Sequence, residues 1–265
     1  MDIDLTPNLH LTRPSKGVAQ LTLSQPARRN ALNAAMWAGI PFLLRDLKAE
    51  AESEPLKALI VTGDGDHFAS GADITEFETL YATPEDAAET SAAIAAALDT
   101  IAEFPVPTVA MIRGACVGGG CGVALACDLR FADSTAKFAI TPAKLGLVYP
   151  FADLRRLVDT VGLSAAKDMM FSARLVGAEE AFDLGLVDVL AAPEDLENEV
   201  MDYLDAIVGL SGGSLRATKA MFGALEAGQR VDDATTKALF ADAFGSEDFR
   251  EGYAAFLKKR KPDFG

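Results

Sequence analysis

Histidine, cysteine and basic residues are all scarce in this 265-residue chain, and each shortage excludes something. There are two histidines, His10 and His67. They lie far apart in sequence, so a histidine-based metal site is not expected. His67 falls in a polar loop and reads as a solvated side chain. Three cysteines, Cys116, Cys121 and Cys127, form an odd set whose spacing fits neither a zinc site nor a redox pair. They read as small buried hydrophobes of a reducing compartment, which points to the cytoplasm. The 24 Lys and Arg residues stand against 39 Asp and Glu, a net charge of −15. That balance argues against nucleic acid and anionic membrane surfaces as partners. No apolar run approaches the roughly 18 residues of a membrane span. The acidic start Met1–Thr6 has no signal-peptide core. Any anionic ligand must therefore be met by a local cluster of cations or by backbone N–H groups.

What is present is an alternation of strands and helices. Val18–Ser24 alternates as a strand, and Gln25–Asn30 is a polar turn. Residues 31–52 read as a helix with Met36, Trp37, Ile40, Leu43, Leu44 and Leu47 at helical spacing, in which Pro41 predicts a kink unless it lies near an end. Leu56–Thr62 is a buried strand followed by a Gly- and Asp-rich loop. A helix over 85–104 is stopped by Pro105 and Pro107, and Thr108–Ile112 and Asp128–Ala132 are further strands. Residues 138–150 are loop-rich. Two helices, 153–161 and 164–172, and a short strand over 186–190 follow, and only helices beyond Pro193. The class is α/β. The expected division is a core over 1–195 and a helical region over 196–265.

Two small-residue loops stand out because each follows a buried strand. One is Phe68-Ala69-Ser70-Gly71-Ala72-Asp73, and the other is Gly118-Gly119-Gly120. Loops at the carboxyl ends of strands gather around the ligand crevice of α/β sheets. The triple glycine sits where a strand gives way to a short helix, whose first turn carries unpaired N–H groups and the positive dipole end. One N–H from each loop could converge on a single negative oxygen; two tightly packed turns are the alternative. A dinucleotide fingerprint fails, because its last glycine would fall on Val123 or Leu125.

These residues carry a family resemblance. Phe68–Ile74 and Gly114–Asp128 resemble the two signature loops of the crotonase superfamily, the enoyl-CoA hydratase/isomerase family. Arg29–Asn33 and Arg250–Pro262 are similar to its ends. The resemblance implies a spiral of β-β-α units with an acyl-CoA site, followed by a helical C-terminal trimerisation region. It implies a homotrimer or a dimer of trimers. It also implies an oxyanion hole for a thioester enolate, made by the N–H groups of Ala72 and Gly119. Coenzyme A, as part of the substrate and with no further cofactor or metal, would lie against Arg29, Ala31, Gly71, Ala72, Asp73 and Ile74, with Phe240 and Lys259 at its adenosine end. The cations Lys258, Lys259, Arg260 and Lys261 suit its phosphates, or are a solvated end complementing a helix dipole.

The chain also departs from the pattern. Hydratases of this family carry two glutamates, at the positions of Gly122 and Pro142, and neither residue here can transfer a proton. The segment Thr141–Tyr149 is similar to that of methylmalonyl-CoA decarboxylases, which carry a histidine where this chain has Ala72. The resemblance thus implies enolate chemistry, with decarboxylation of a small malonyl-type thioester slightly ahead of enoyl-CoA hydration or isomerisation. A non-catalytic acyl-CoA-binding protein is the alternative. Tyr149 is either a pocket wall or a group that positions a carboxylate or returns a proton. Asp153 is either a first-turn helix residue or an acid–base group. Glu76 and Glu103 are further carboxylates within reach of this argument.

Overall fold

The computed structural model describes residues 7–53 and 56–264, so the Met1–Thr6 reading lies outside the described residues. β1 (Leu9–Ser15) and β2 (Val18–Leu23) form an antiparallel hairpin. β1 has no counterpart in the sequence reading because only Leu9 of it is buried, which leaves no alternating apolar signal. A 3-10 turn over Pro26–Arg28 leads to α1 (Ala34–Ser53). This helix runs on through Pro41, and Met36, Trp37, Ile40, Leu44 and Leu47 are buried along it. β3 (Ala58–Gly63) is apolar and enclosed. The short α2 (Phe77–Leu80) precedes α3 (Pro84–Ala102), which starts with a capping box between Thr83 and Asp86 and has Pro84 in its first turn.

From here the chain spirals between two sheets. β4 (Thr108–Ile112) joins the main sheet, β5 (Ala115–Val117) joins a second one, and α4 (Gly119–Ala126) follows. β6 (Leu129–Asp133) returns to the main sheet and β7 (Lys137–Ala139) to the second. α5 (Phe151–Ser172) is interrupted at Gly162, where φ is 76° and ψ 161°, so the two helices expected from the sequence are two segments across a kink. β8 (Val176–Gly177), α6 (Ala178–Asp183) and β9 (Val189–Ala191) complete the spiral. The main sheet has the order β1-β2-β3-β4-β6-β9, parallel from β2 onward, and the second has the order β5-β7-β8. Parallel strands covered on both faces read as continuous apolar runs, as β3 and β4 do.

Four helices close the chain: α7 (Leu196–Val208), α8 (Gly212–Glu226), α9 (Ala234–Ala243) and α10 (Glu247–Leu257). α7 lays Leu196, Val200, Leu204 and Ile207 on the main sheet, against Ile60, Val109 and Phe131. The larger core lies on the other side, where α1, α3 and α4 meet. Lys57 is buried and donates from Nζ to the carbonyls of Val208, Leu210 and Phe264, which ties the C-terminal end to the core. Among the described residues no helix is long and apolar enough to cross a membrane.

Candidate active site

The two small-residue loops meet. Gly71 has φ 108°, a backbone region that favours glycine. Leu32 N–H donates to the Gly71 carbonyl at 2.7 Å, and Asp73 N–H donates to the Leu32 carbonyl at 2.8 Å. Those bonds flank Ala72 on one edge, so its own N–H is turned to the other edge, toward the glycines. A methyl group placed on Gly119 would stand 3.6 Å from the Ala72 nitrogen, and one on Gly71 would stand 3.8 Å from the Gly119 nitrogen. Among the hydrogen bonds of the described residues, neither the Ala72 nor the Gly119 N–H has a protein acceptor. Gly119 is also the first residue of α4, so the helix dipole adds positive potential there.

Asp73 sets the loop's orientation. Its Oδ1 accepts from the Thr75 N–H and hydroxyl, at 3.1 and 2.7 Å, and its Oδ2 accepts from Arg28 at 2.5 Å and from Gln25 at 3.3 Å. Burial pushes the Asp73 pKa up, but the Thr75 bonds and the Arg28 guanidinium outweigh it, and the net shift is downward. A groove of about 370 Å³ opens beside the loop, lined by Arg28, Ala31, Ser70, Ala72, Ile74 and Thr75, with Asp73 at its base. Arg28 rather than Arg29 lines this groove. Arg29 has φ 52°, and its carbonyl accepts from the Ser70 N–H. The two arginines are adjacent in sequence, and the chain turns there through left-handed backbone at both Arg29 and Asn30.

Two neighbouring residues differ from their sequence reading. His67 is not a solvated loop residue: its Nδ1 accepts the Ala115 N–H at 3.1 Å, and its carbonyl accepts from the Asn30 amide at 2.6 Å. It pins the first loop to β5. Glu76 accepts the Ala34 N–H at 2.8 Å and caps α1, while Glu103 is exposed at the end of α3. The Glu76 carboxylate is thus engaged at the start of α1. The three cysteines are buried, and burial first, then the Asp128 charge, pushes the Cys127 thiol up to about 12.

On the inner side of the glycines, α4 is enclosed from Gly120 to Ala126. Gly122 lies three residues past Gly119 and so on the same helix face. A methyl group there would meet Leu98 at 3.5 Å and the Tyr149 hydroxyl at 3.6 Å. Tyr149 is 8% exposed, and its buried hydroxyl has no hydrogen-bond partner among the described residues. Burial, with smaller contributions from Cys121, Asp153 and Cys116, raises its pKa well above that of a free phenol. It is therefore a protonated donor at neutral pH. Asp153 is buried in the first turn of α5 and paired with Arg156 at 2.9 Å. Arg156 also reaches Asp99 of α3 at 2.6 Å. Burial raises the Asp153 pKa, and Arg156 opposes it. Arg156 and Asp99 were missed in the sequence, because nothing in their local pattern signals a bridge between two helices.

Phe240 is exposed and packs edge-on against Phe244. Lys259 lies just past α10 with φ 51°, and Arg260 is paired with Glu251 at 2.5 Å. No hydrogen bond, ion pair or ring contact of the described residues joins Phe240 or Lys259 to the groove. Among the described residues no group of three His, Cys, Asp or Glu side chains could hold a metal ion.

The model of the enoyl-CoA hydratase/isomerase family matches residues 13–265. The chain is similar to the crotonyl-CoA hydratase of Syntrophomonas wolfei, 34% identical over 263 residues, 97% of both chains. Among solved structures it is similar to an enoyl-CoA hydratase/isomerase family protein from Hyphomonas neptunium, at 43% identity and TM-score 0.91 over 97% of each chain. An enoyl-CoA hydratase/carnithine racemase from Magnetospirillum magneticum matches at 32% identity and TM-score 0.92, over 97% of this chain and 95% of that one.

Proposed function

Because the chain belongs to the enoyl-CoA hydratase/isomerase family, we propose that it acts on acyl-CoA thioesters through an enolate held by the Ala72 and Gly119 N–H groups. The observation that carries this reading is the facing of two N–H groups that have no acceptor among the described residues, one of them opening α4. Charge that builds on a thioester oxygen meets two fixed donors there, each worth about 3 kcal/mol at sites of this kind. The Arg28–Thr75 groove receives the coenzyme A arm.

Decarboxylation of a small malonyl-type thioester suits the rest of the site. The bond from the α-carbon to the carboxylate breaks, its electron pair passes into the thioester enolate, and carbon dioxide leaves. A proton from solvent then reaches the α-carbon. No base need remove a C–H proton, which agrees with glycine at 122 and proline at 142. The Tyr149 hydroxyl, protonated and without a partner among the described residues, donates a hydrogen bond to the substrate carboxylate and orients it. Enoyl-CoA hydration or isomerisation would instead lean on Asp153, whose burial raises its pKa toward the range of a useful acid–base group.

The test is turnover of malonyl-, methylmalonyl- and crotonyl-CoA by the wild type, Tyr149→Phe and Asp153→Asn. Loss of carbon dioxide release in Tyr149→Phe supports the reading, and unchanged activity in both variants removes these two residues from the mechanism. A second reading, an acyl-CoA binder without turnover, draws on the missing acid–base residues at 122 and 142. Deuterium exchange at the α-carbon of a bound thioester would exclude it. For assembly, a trimer or a dimer of trimers is supported by the large apolar side chains exposed on α5, α9 and α10, Phe151, Phe171, Phe240 and Phe256 among them. Three unpaired buried cysteines are in keeping with a cytoplasmic setting.

A further inference from the structure

The proposed thioester seat has two sides. The groove lined by Arg28, Ser70, Ile74 and Thr75 is open to solvent and takes the coenzyme A arm. The acyl group must leave on the other side, along the first turns of α4 toward Gly122. There the space beside Gly122 is bounded by two side chains. A methyl group on Gly122 would touch Leu98 Cδ1 at 3.5 Å, Tyr149 Oη at 3.6 Å and Leu98 Cδ2 at 3.9 Å, all ordinary contact distances. Two bulky side chains are thus packed up to the surface that the absent side chain leaves bare. Leu98 is 1% exposed and fixed in the core between α1, α3 and α4, so it cannot withdraw without disturbing dense packing.

The chemistry of this wall points the same way. The Tyr149 hydroxyl has no partner among the described residues. A long apolar chain pressed against it would leave that donor unsatisfied and away from water, which is unfavourable. A short acyl group leaves room for a water, or brings an oxygen of its own. The wall therefore opposes long apolar chains by volume and by polarity. Gly122 is three residues along α4 from Gly119, about 4.5 Å of helix rise, a length spanned by roughly three to four carbon–carbon bonds.

We infer that Leu98 and Tyr149 form the closed end of the acyl pocket, that the protein takes only short-chain acyl-CoA thioesters, and that Leu98 is the residue setting the length limit. The inference rests on the assignment of Ala72 and Gly119 as the thioester seat. Calorimetric titration with free CoA, acetyl-CoA, butyryl-CoA and octanoyl-CoA tests it without requiring turnover. Octanoyl-CoA is expected to bind at least about tenfold more weakly than butyryl-CoA. Leu98→Ala, with folding checked by its melting curve, is expected to bring the two within about threefold. Leu98→Val is the milder variant should the alanine form not fold. Octanoyl-CoA binding to the wild type as tightly as butyryl-CoA overturns the inference. Binding of none of the four probes overturns the thioester seat itself, a different failure from lost discrimination by length.

Discussion

A methyl group on Gly119 would stand 2.9 Å from Cζ2 of Trp37, and one on Gly120 would stand 2.3 Å from the Ala69 carbonyl oxygen. A side chain can shift, but a backbone carbonyl in a packed loop cannot. Gly120→Ala is therefore expected to destabilise the fold by about 3 kcal/mol, the upper end for overpacking, and Gly119→Ala by about 1 kcal/mol. Chemical denaturation of the two variants checks the order. Tyr149→Phe runs the other way. It removes a buried hydroxyl that bonds to none of the described residues, so stability is expected to stay level or rise by up to about 1 kcal/mol. Turnover should fall in the same variant. A Tyr149→Phe protein that is clearly less stable would show that the hydroxyl already has a partner.

The loop over residues 70–76 and the link from α3 to α5 each depend on one charged cluster. An acid whose pKa is lower folded than unfolded contributes stability that is complete above the unfolded pKa. That contribution is lost as pH falls through the folded one. Asp73 is such a group. Asp73→Asn is expected to cost about 2 kcal/mol at neutral pH, from charge-assisted bonds to Arg28 and Thr75, and its difference from the wild type should vanish in acid. Asp153 has the opposite sign: its raised pKa makes its ionisation cost stability as pH rises through the folded value. Arg156→Met removes the partner of this buried carboxylate and is expected to cost about 3 kcal/mol at neutral pH, shrinking as Asp153 takes up a proton. Melting curves across the acid range check both: each difference should shrink as pH falls, that of Arg156→Met at the higher pH, and parallel curves would refute both.

Taken as one body, the chain presents a continuous run of aromatic contacts on its C-terminal helices, from Phe240 through Phe244 and Phe249 to Tyr253. Each of these rings is substantially exposed. Light scattering after size exclusion is expected to give three or six times the 27.9 kDa of one chain. A monomer at micromolar concentration would remove the assembly reading.

Much of this was legible in the residues. The apolar runs at β3 and β4 read as buried strands, the periodicity over 31–52 reads as a helix with a core face, and three glycines before a helix point to close backbone approach. Those are local demands, set by the hydrophobic pattern and by backbone sterics, and they hold wherever the segment ends up. The tertiary structure decided what depends on neighbours distant in sequence. Arg28 rather than Arg29 meets Asp73, where the chain turns through the left-handed backbone of Arg29 and Asn30. His67 is pinned because β5 brings the Ala115 N–H to it. Arg156 joins Asp153 to Asp99 because α5 packs beside α3. The bare surface of Gly122 is a wall because Leu98 and Tyr149 arrive from two other elements, a closure that no pattern along the chain encodes.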